Sequence, residues 1–93
     1  MVNHAENLEV LRKQIDKFDE DLVELLCSRF DVVRKVGEFK KKNNMLLCDK
    51  SRQAEVLKLR IKQGSEKGLD ADFVEKLYGL IFDEAIRIQE CEK

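Results

Sequence analysis

The feature that most limits what this chain can fold into is the stretch from Leu8 to Lys40. It contains no proline, and its only glycine is Gly37. Apolar residues recur at Leu8, Leu11, Ile15, Phe18, Leu22, Leu25, Val32 and Val36, in steps of three and four where they fall close together. That spacing predicts one long helix with an apolar stripe sustained over several heptads. The stripe has an exception: between Leu25 and Val32 it places Arg29. A charge on the buried seam of a helix is costly unless something pairs with it.

The helix is expected to run to about Lys42, after a frayed end at residues 1–6. At ~1.5 Å per residue it is roughly 50 Å long, more than the width of a compact domain of 93 residues. Met45 to Lys50 reads as a short loop. Asp49 or Ser51 can cap a second helix that runs to about Gln63, with Ala54, Leu57 and Ile61 as its stripe. The segment Gly64-Ser65-Glu66-Lys67-Gly68 is the clearest break, and Gly64 is expected in the left-handed position that ends a helix. A third helix follows from an Asp70 cap to about Cys91. Leu69 and Val74 are spaced for a hydrophobic staple, and the stripe continues through Phe73, Leu77, Leu80, Ile81, Ala85 and Ile88. No strand is read, so the fold class is all-α, as one small domain over residues 1–93.

Three helices of such unequal length leave much of the first stripe facing water. An apolar seam of that extent implies a partner, and the simplest is a second copy in a two-fold, intertwined homodimer. The net charge of −1 argues against a nucleic-acid binder driven by bulk charge. No apolar run approaches membrane-spanning length and no secretory leader is read, so no membrane partner is expected and the cytosol is the expected compartment. Cys27, Cys48 and Cys91 form no CxxC pair and His4 is the only histidine, so neither a zinc site nor a disulfide framework is indicated.

The polar residues on the seams carry the functional argument. Arg12, Arg29 and Lys40 lie on or beside the apolar face of the long helix. Arg29 and Lys40 are eleven residues apart, close to three turns, with backbones about 16 Å apart. Arg12 lies roughly 40 Å from Lys40 along the same helix. In an antiparallel dimer it could approach the other two, from the opposite copy. Two readings of Arg29 stand: a buried ion pair with Asp19, Glu24, Asp49 or Glu55, or an anion site. Gln89 lies near the apolar face of the third helix, where a buried amide must find partners. Asp49 and Arg52 open the second helix as a cap and a surface charge. The set lacks a histidine base, a nucleophile elbow, metal-ligand spacing and a phosphate loop. A pocket of arginines, a lysine and a neutral amide suits the binding of a compact dianion and the stabilisation of charge that shifts during a rearrangement.

Taken in order, Leu11-Arg12, Ile15-Asp16, Asp19, Leu22, Leu25-Leu26, Arg29, Val33, Val36-Gly37, Lys40, Asp49, Arg52, Gly64, Leu69-Asp70 and Gln89 resemble the pattern of the all-helical (AroQ-type) chorismate mutases. The resemblance covers nearly the whole chain. It implies an intertwined homodimer with two active sites built from both chains, and conversion of chorismate to prephenate by a Claisen rearrangement with no cofactor and no metal. By that resemblance, Arg29 and the other copy's Arg12 would bind the substrate carboxylates. Lys40 would hydrogen-bond the ether oxygen and a carboxylate, Gln89 would hold the other side of that oxygen, and Asp49 and Arg52 would position the ring end. Two positions depart from the pattern. Gln53 stands where the best-known members carry a glutamate that contacts the ring hydroxyl, and Ala85 replaces a small polar residue near a carboxylate. Isochorismate-pyruvate lyases resemble the mutases and share the arginines, lysine and glutamine; the acidic Asp49 leans toward the mutase. A non-catalytic helical dimerisation module is the reading from another class.

Overall fold

The computed structural model describes the backbone of residues 4–91 and the side chains of residues 7–90. Three helices follow one another: α1, His4–Lys42; α2, Lys50–Glu66; and α3, Ala71–Cys91. No strand occurs among the described residues, and the chain is all-α. No helix there is long and apolar enough to cross a membrane. α1 is already helical at His4, inside the stretch expected to fray; residues 1–3 lie outside the described residues. Contacts divide the chain into two units, Met1–Val32 and Val33–Lys93.

Among the described residues the first unit is helix alone, with no second element to cover the apolar stripe, and Leu8, Leu11, Ile15, Phe18, Leu22 and Leu25 are all exposed, Phe18 to 71%. An exposed i,i+4 ion pair joins Lys17 to Asp21 at 2.9 Å. Such a pair adds only a few tenths of a kcal/mol, on the order of 0.3–0.5.

The second unit contains the end of α1, with α2 packed on α3. Two of its helices stop in the same way. At the end of α1 the Met45 N–H donates to the Lys40 carbonyl at 2.8 Å and the Asn44 N–H to the Lys41 carbonyl at 3.4 Å, with Asn44 left-handed at φ 55°. At the end of α2 the Leu69 N–H donates to the Gly64 carbonyl at 2.8 Å and the Gly68 N–H to the Ser65 carbonyl at 3.2 Å, with Gly68 at φ 91°. Both are six-to-one and five-to-two pairs closing on a left-handed residue. This corrects two sequence expectations. The stop residue is Gly68, not Gly64, and α2 runs to Glu66 instead of ending near Gln63.

Gly64 serves packing instead. It is buried, and a Cβ there would stand 3.1 Å from Val74 Cγ2 and 3.3 Å from Leu69 Cβ. The two staple residues therefore close over a glycine. The caps are carboxylates: Asp49 accepts from the Arg52 N–H at 3.0 Å and Asp70 from the Phe73 N–H at 3.0 Å. They satisfy N–H groups that a helix start leaves unpaired.

Among the described residues the buried apolar side chains are Val74, Ile81, Ala85 and Ile88, all on α3. Three members of the expected α3 stripe, Phe73, Leu77 and Leu80, are exposed, as is Ala54 on α2. The α3 stripe is thus wider than its own unit can cover. Its inner edge meets the unit's other helices and its outer edge faces solvent.

Candidate active site

The candidate residues fall into both units. In the first, Arg12 is exposed and Arg29 half-buried. Seventeen positions of helix separate them, roughly 25 Å at ~1.5 Å per residue. The two guanidinium groups of one chain therefore cannot grip one small anion together. Among the described residues Arg29 forms no ion pair, and two of the partners considered for it are engaged elsewhere. Asp49 caps α2, and Glu55 pairs with Arg52 at 2.6 Å.

In the second unit the end of α1 and the start of α2 border a shallow cleft of about 680 Å³, which both Lys40 and Asp49 line together with Met45 and Leu46. The Lys40 ammonium is half-buried and donates to the Leu47 carbonyl at 3.2 Å. That is one of its three donors. The left-handed Asn44 turns the chain back so that this carbonyl lies within reach. Leu47 belongs to the arrangement through its backbone, and no side-chain pattern could have marked it.

Arg52, Gln53, Ala85 and Gln89 do not line that cleft. The Arg52 guanidinium is directed along α2 to Glu55 in an exposed pair of the kind that holds a side chain weakly. Gln53 is half-buried, and its amide nitrogen is 3.9 Å from the Cys48 sulfur. Cys27 and Cys48 are free thiols, both exposed; the side chain of Cys91 lies outside the described residues.

Ala85 and Gln89 are one turn apart on α3 and both buried, Gln89 to 6% exposure. The Gln89 Oε1 atom is buried with no hydrogen-bond partner among the described residues. A buried unpaired acceptor costs on the order of 1–3 kcal/mol, and an amide can present either its oxygen or its N–H₂ to the same place by a half-turn of its last torsion. Gln89 is seated against Gly37 of α1, whose added Cβ would stand 2.8 Å from Gln89 Cγ. Gly37 precedes Lys40 by three positions and shares its face of the helix. The second unit therefore brings the stem of Gln89 to within a turn of Lys40, a neighbourhood that distance in sequence conceals.

The local field is mixed. Glu84 accepts from Arg87 at 2.6 and 2.7 Å. Its carboxyl is held below the ordinary value first by that hydrogen bond, and also by the charges of Arg87 and Arg34.

The arrangement supplies cations and a neutral amide, with the Asp49 carboxylate beside Lys40 in the cleft. Comparison with known proteins identifies a family. The family model described as "Chorismate mutase type II" matches residues 11–90. The chain is 29% identical over 84 residues to a bifunctional chorismate mutase/prephenate dehydratase of Buchnera aphidicola, covering 90% of this chain and 22% of that protein. It is 26% identical over 83 residues to a 4-amino-4-deoxychorismate mutase of Streptomyces pristinaespiralis, covering 89% and 64%. It is 32% identical over 78 residues to the T-protein of Enterobacter agglomerans, covering 84% and 21%. The chain spans about a fifth of the length of the bifunctional relative and of the T-protein, and just under two thirds of the Streptomyces mutase.

Proposed function

This chain belongs to the chorismate mutase type II family, and we propose that residues 1–93 act as one mutase domain that rearranges chorismate to prephenate in aromatic amino acid biosynthesis. The reaction is an internal exchange of bonds. The ether C–O bond breaks as a C–C bond forms, no proton moves, and no atom enters or leaves. A site for it needs to hold a flexible dianion in a chair-like form and to stabilise the negative charge that builds on the ether oxygen.

In this reading Lys40 and Gln89 are the donors at that oxygen, with Lys40 also on a carboxylate. Arg29 binds one carboxylate, and Arg12 of a second copy binds the other. Asp49, Arg52 and Gln53 border the ring end, and Ala85 forms apolar wall beside Gln89. The observation that carries the proposal is the amide of Gln89, sealed against Gly37 one turn from Lys40 with an unmet hydrogen-bonding atom. Arg29 adds support, since it is half-buried with no carboxylate partner among the described residues. A neutral amide needs no protonation, so turnover is expected to be level across neutral pH.

A homodimer is part of the proposal. The separation of Arg12 from Arg29 requires a second chain if both are to reach one substrate. The exposed stripe on α1 and the exposed Phe73, Leu77 and Leu80 on α3 supply apolar surface for it.

The test offers purified protein three substrates in parallel: chorismate, isochorismate and 4-amino-4-deoxychorismate. Prephenate from chorismate supports the proposal. Salicylate with pyruvate from isochorismate would reassign the chain as a lyase, and preferred turnover of the amino compound would move it to the activity named for the Streptomyces relative. With no turnover of any of the three, and no rise in melting temperature with a dicarboxylate transition-state mimic, the chain would be a non-catalytic helical module. A real site at a hundred times Kd should gain about 2.7 kcal/mol from the mimic.

A further inference from the structure

Gly37 is a glycine in the interior of a helix, where it costs about 1 kcal/mol relative to alanine. Its conformation does not account for it, because the only glycine with a positive φ is Gly68. The reason is space. Gly37 is buried, and a Cβ added there would meet Gln89 Cγ at 2.8 Å, Gln89 Cβ at 3.3 Å and Gln89 Cα at 3.6 Å. None of these atoms is the free end of a side chain. Cα and Cβ are fixed by the α3 backbone, and Cγ can leave only by a change of rotamer that carries the amide with it. The neighbours of Gln89 on its own helix allow no such retreat without cost, since Ile81, Ala85 and Ile88 are buried as well.

The amide itself is weakly anchored, because its Oε1 accepts nothing among the described residues. Its direction must then be set by how its stem is packed, and the bare backbone of α1 at Gly37 is one wall of that packing. We propose that Gly37 is a positioning residue for the rearrangement. By having no side chain it lets α1 close on α3 and fixes the rotamer in which Gln89 presents its amide to the substrate's ether oxygen. This rests on the mutase reading above and adds to it a residue that touches no substrate.

The experiment is a double-mutant cycle on chorismate turnover with wild type, Gly37→Ala, Gln89→Ala and the double variant. A displaced Gln89 loses its hold on the transition state more than on the ground state. Gly37→Ala is therefore expected to lower kcat by about tenfold or more while KM stays within roughly threefold. In the Gln89→Ala background, where the clashing Cγ is gone, the same change should alter kcat by less than about twofold. An equal loss in both backgrounds would mean that Gly37 serves packing in general, and full activity in Gly37→Ala would mean that it positions nothing; either overturns the inference. Should Gly37→Ala not fold alone, folding of the double variant would support action through Gln89, and failure of both would overturn it. Wild-type protein that leaves chorismate unchanged would sink the mutase reading and this one with it, a result seen before any variant is made.

Discussion

The ammonium of Lys40 donates to the carbonyl oxygen of Leu47 at 3.2 Å, so a half-buried residue in the last turn of α1 also holds the loop that follows it. One donor of Lys40 fixes the loop and two remain for a ligand. Lys40→Met should therefore have two separable effects. Turnover should fall roughly a hundredfold or more, the scale expected for losing a charge-assisted hydrogen bond of ~3 kcal/mol in the transition state. Amide exchange at residues 45–48 should quicken even without ligand, measurable by mass spectrometry. Unchanged exchange would show that the Leu47 contact holds nothing.

Arg12 and Arg29 offer a test of shared sites. Either arginine changed to alanine should leave a nearly inactive protein. If each site takes Arg29 from one copy and Arg12 from the other, a mixed dimer of the two variants keeps one site intact and loses both arginines from the other. Equal amounts unfolded and refolded together should recover about one quarter of wild-type activity, since half the dimers are mixed and half their sites are whole. Recovery of none would reject sites built from two chains.

Asn44 holds a left-handed conformation at φ 55°, which a β-branched residue tolerates poorly. Asn44→Val should destabilise the fold by about 1–2 kcal/mol, while Asn44→Gly should be neutral or mildly stabilising. Chemical denaturation of the two variants provides the comparison. Equal midpoints would remove the role given to Asn44 in closing the end of α1.

Glu84 sets a pH dependence of stability. Its folded-state pKa lies below the unfolded value, chiefly because Arg87 donates to it. Its contribution is present above the unfolded carboxylate range and disappears as pH falls through the folded value. Melting temperature should decline on that acid limb, and Glu84→Gln should decline less steeply there. Parallel curves for the two proteins would contradict the assignment. The pair is near the surface, and high salt should shrink the difference.

Much of this was legible in the residues and some was not. The length of α1, the Asp49 and Asp70 caps and the break before α3 follow from local signals that tertiary structure had no cause to override. Gly64 misled, because a glycine near a helix end has two uses, a left-handed stop or a close approach. Gly68, four positions on, took the first and left Gly64 the second. Phe73, Leu77 and Leu80 were expected on a buried stripe and are exposed, since periodicity tells which residues share a face but not how much of that face one chain can cover. Lys40 was legible as a cation near the seam, whereas its acceptor was not, being a main-chain carbonyl. The approach of Gln89 to the turn that carries Lys40 depends on the meeting of α1 and α3, about fifty residues apart in sequence.

The solitary acceptor of Gln89 has a thermodynamic corollary. Gln89→Leu fills nearly the same volume and removes a polar group that the surrounding aliphatic side chains of α3 do not satisfy, so it should melt at a higher temperature than the natural chain while turning over chorismate far more slowly. At this position durability and usefulness pull in opposite directions. A lineage that ceased to need the reaction would be free to let an aliphatic residue drift in.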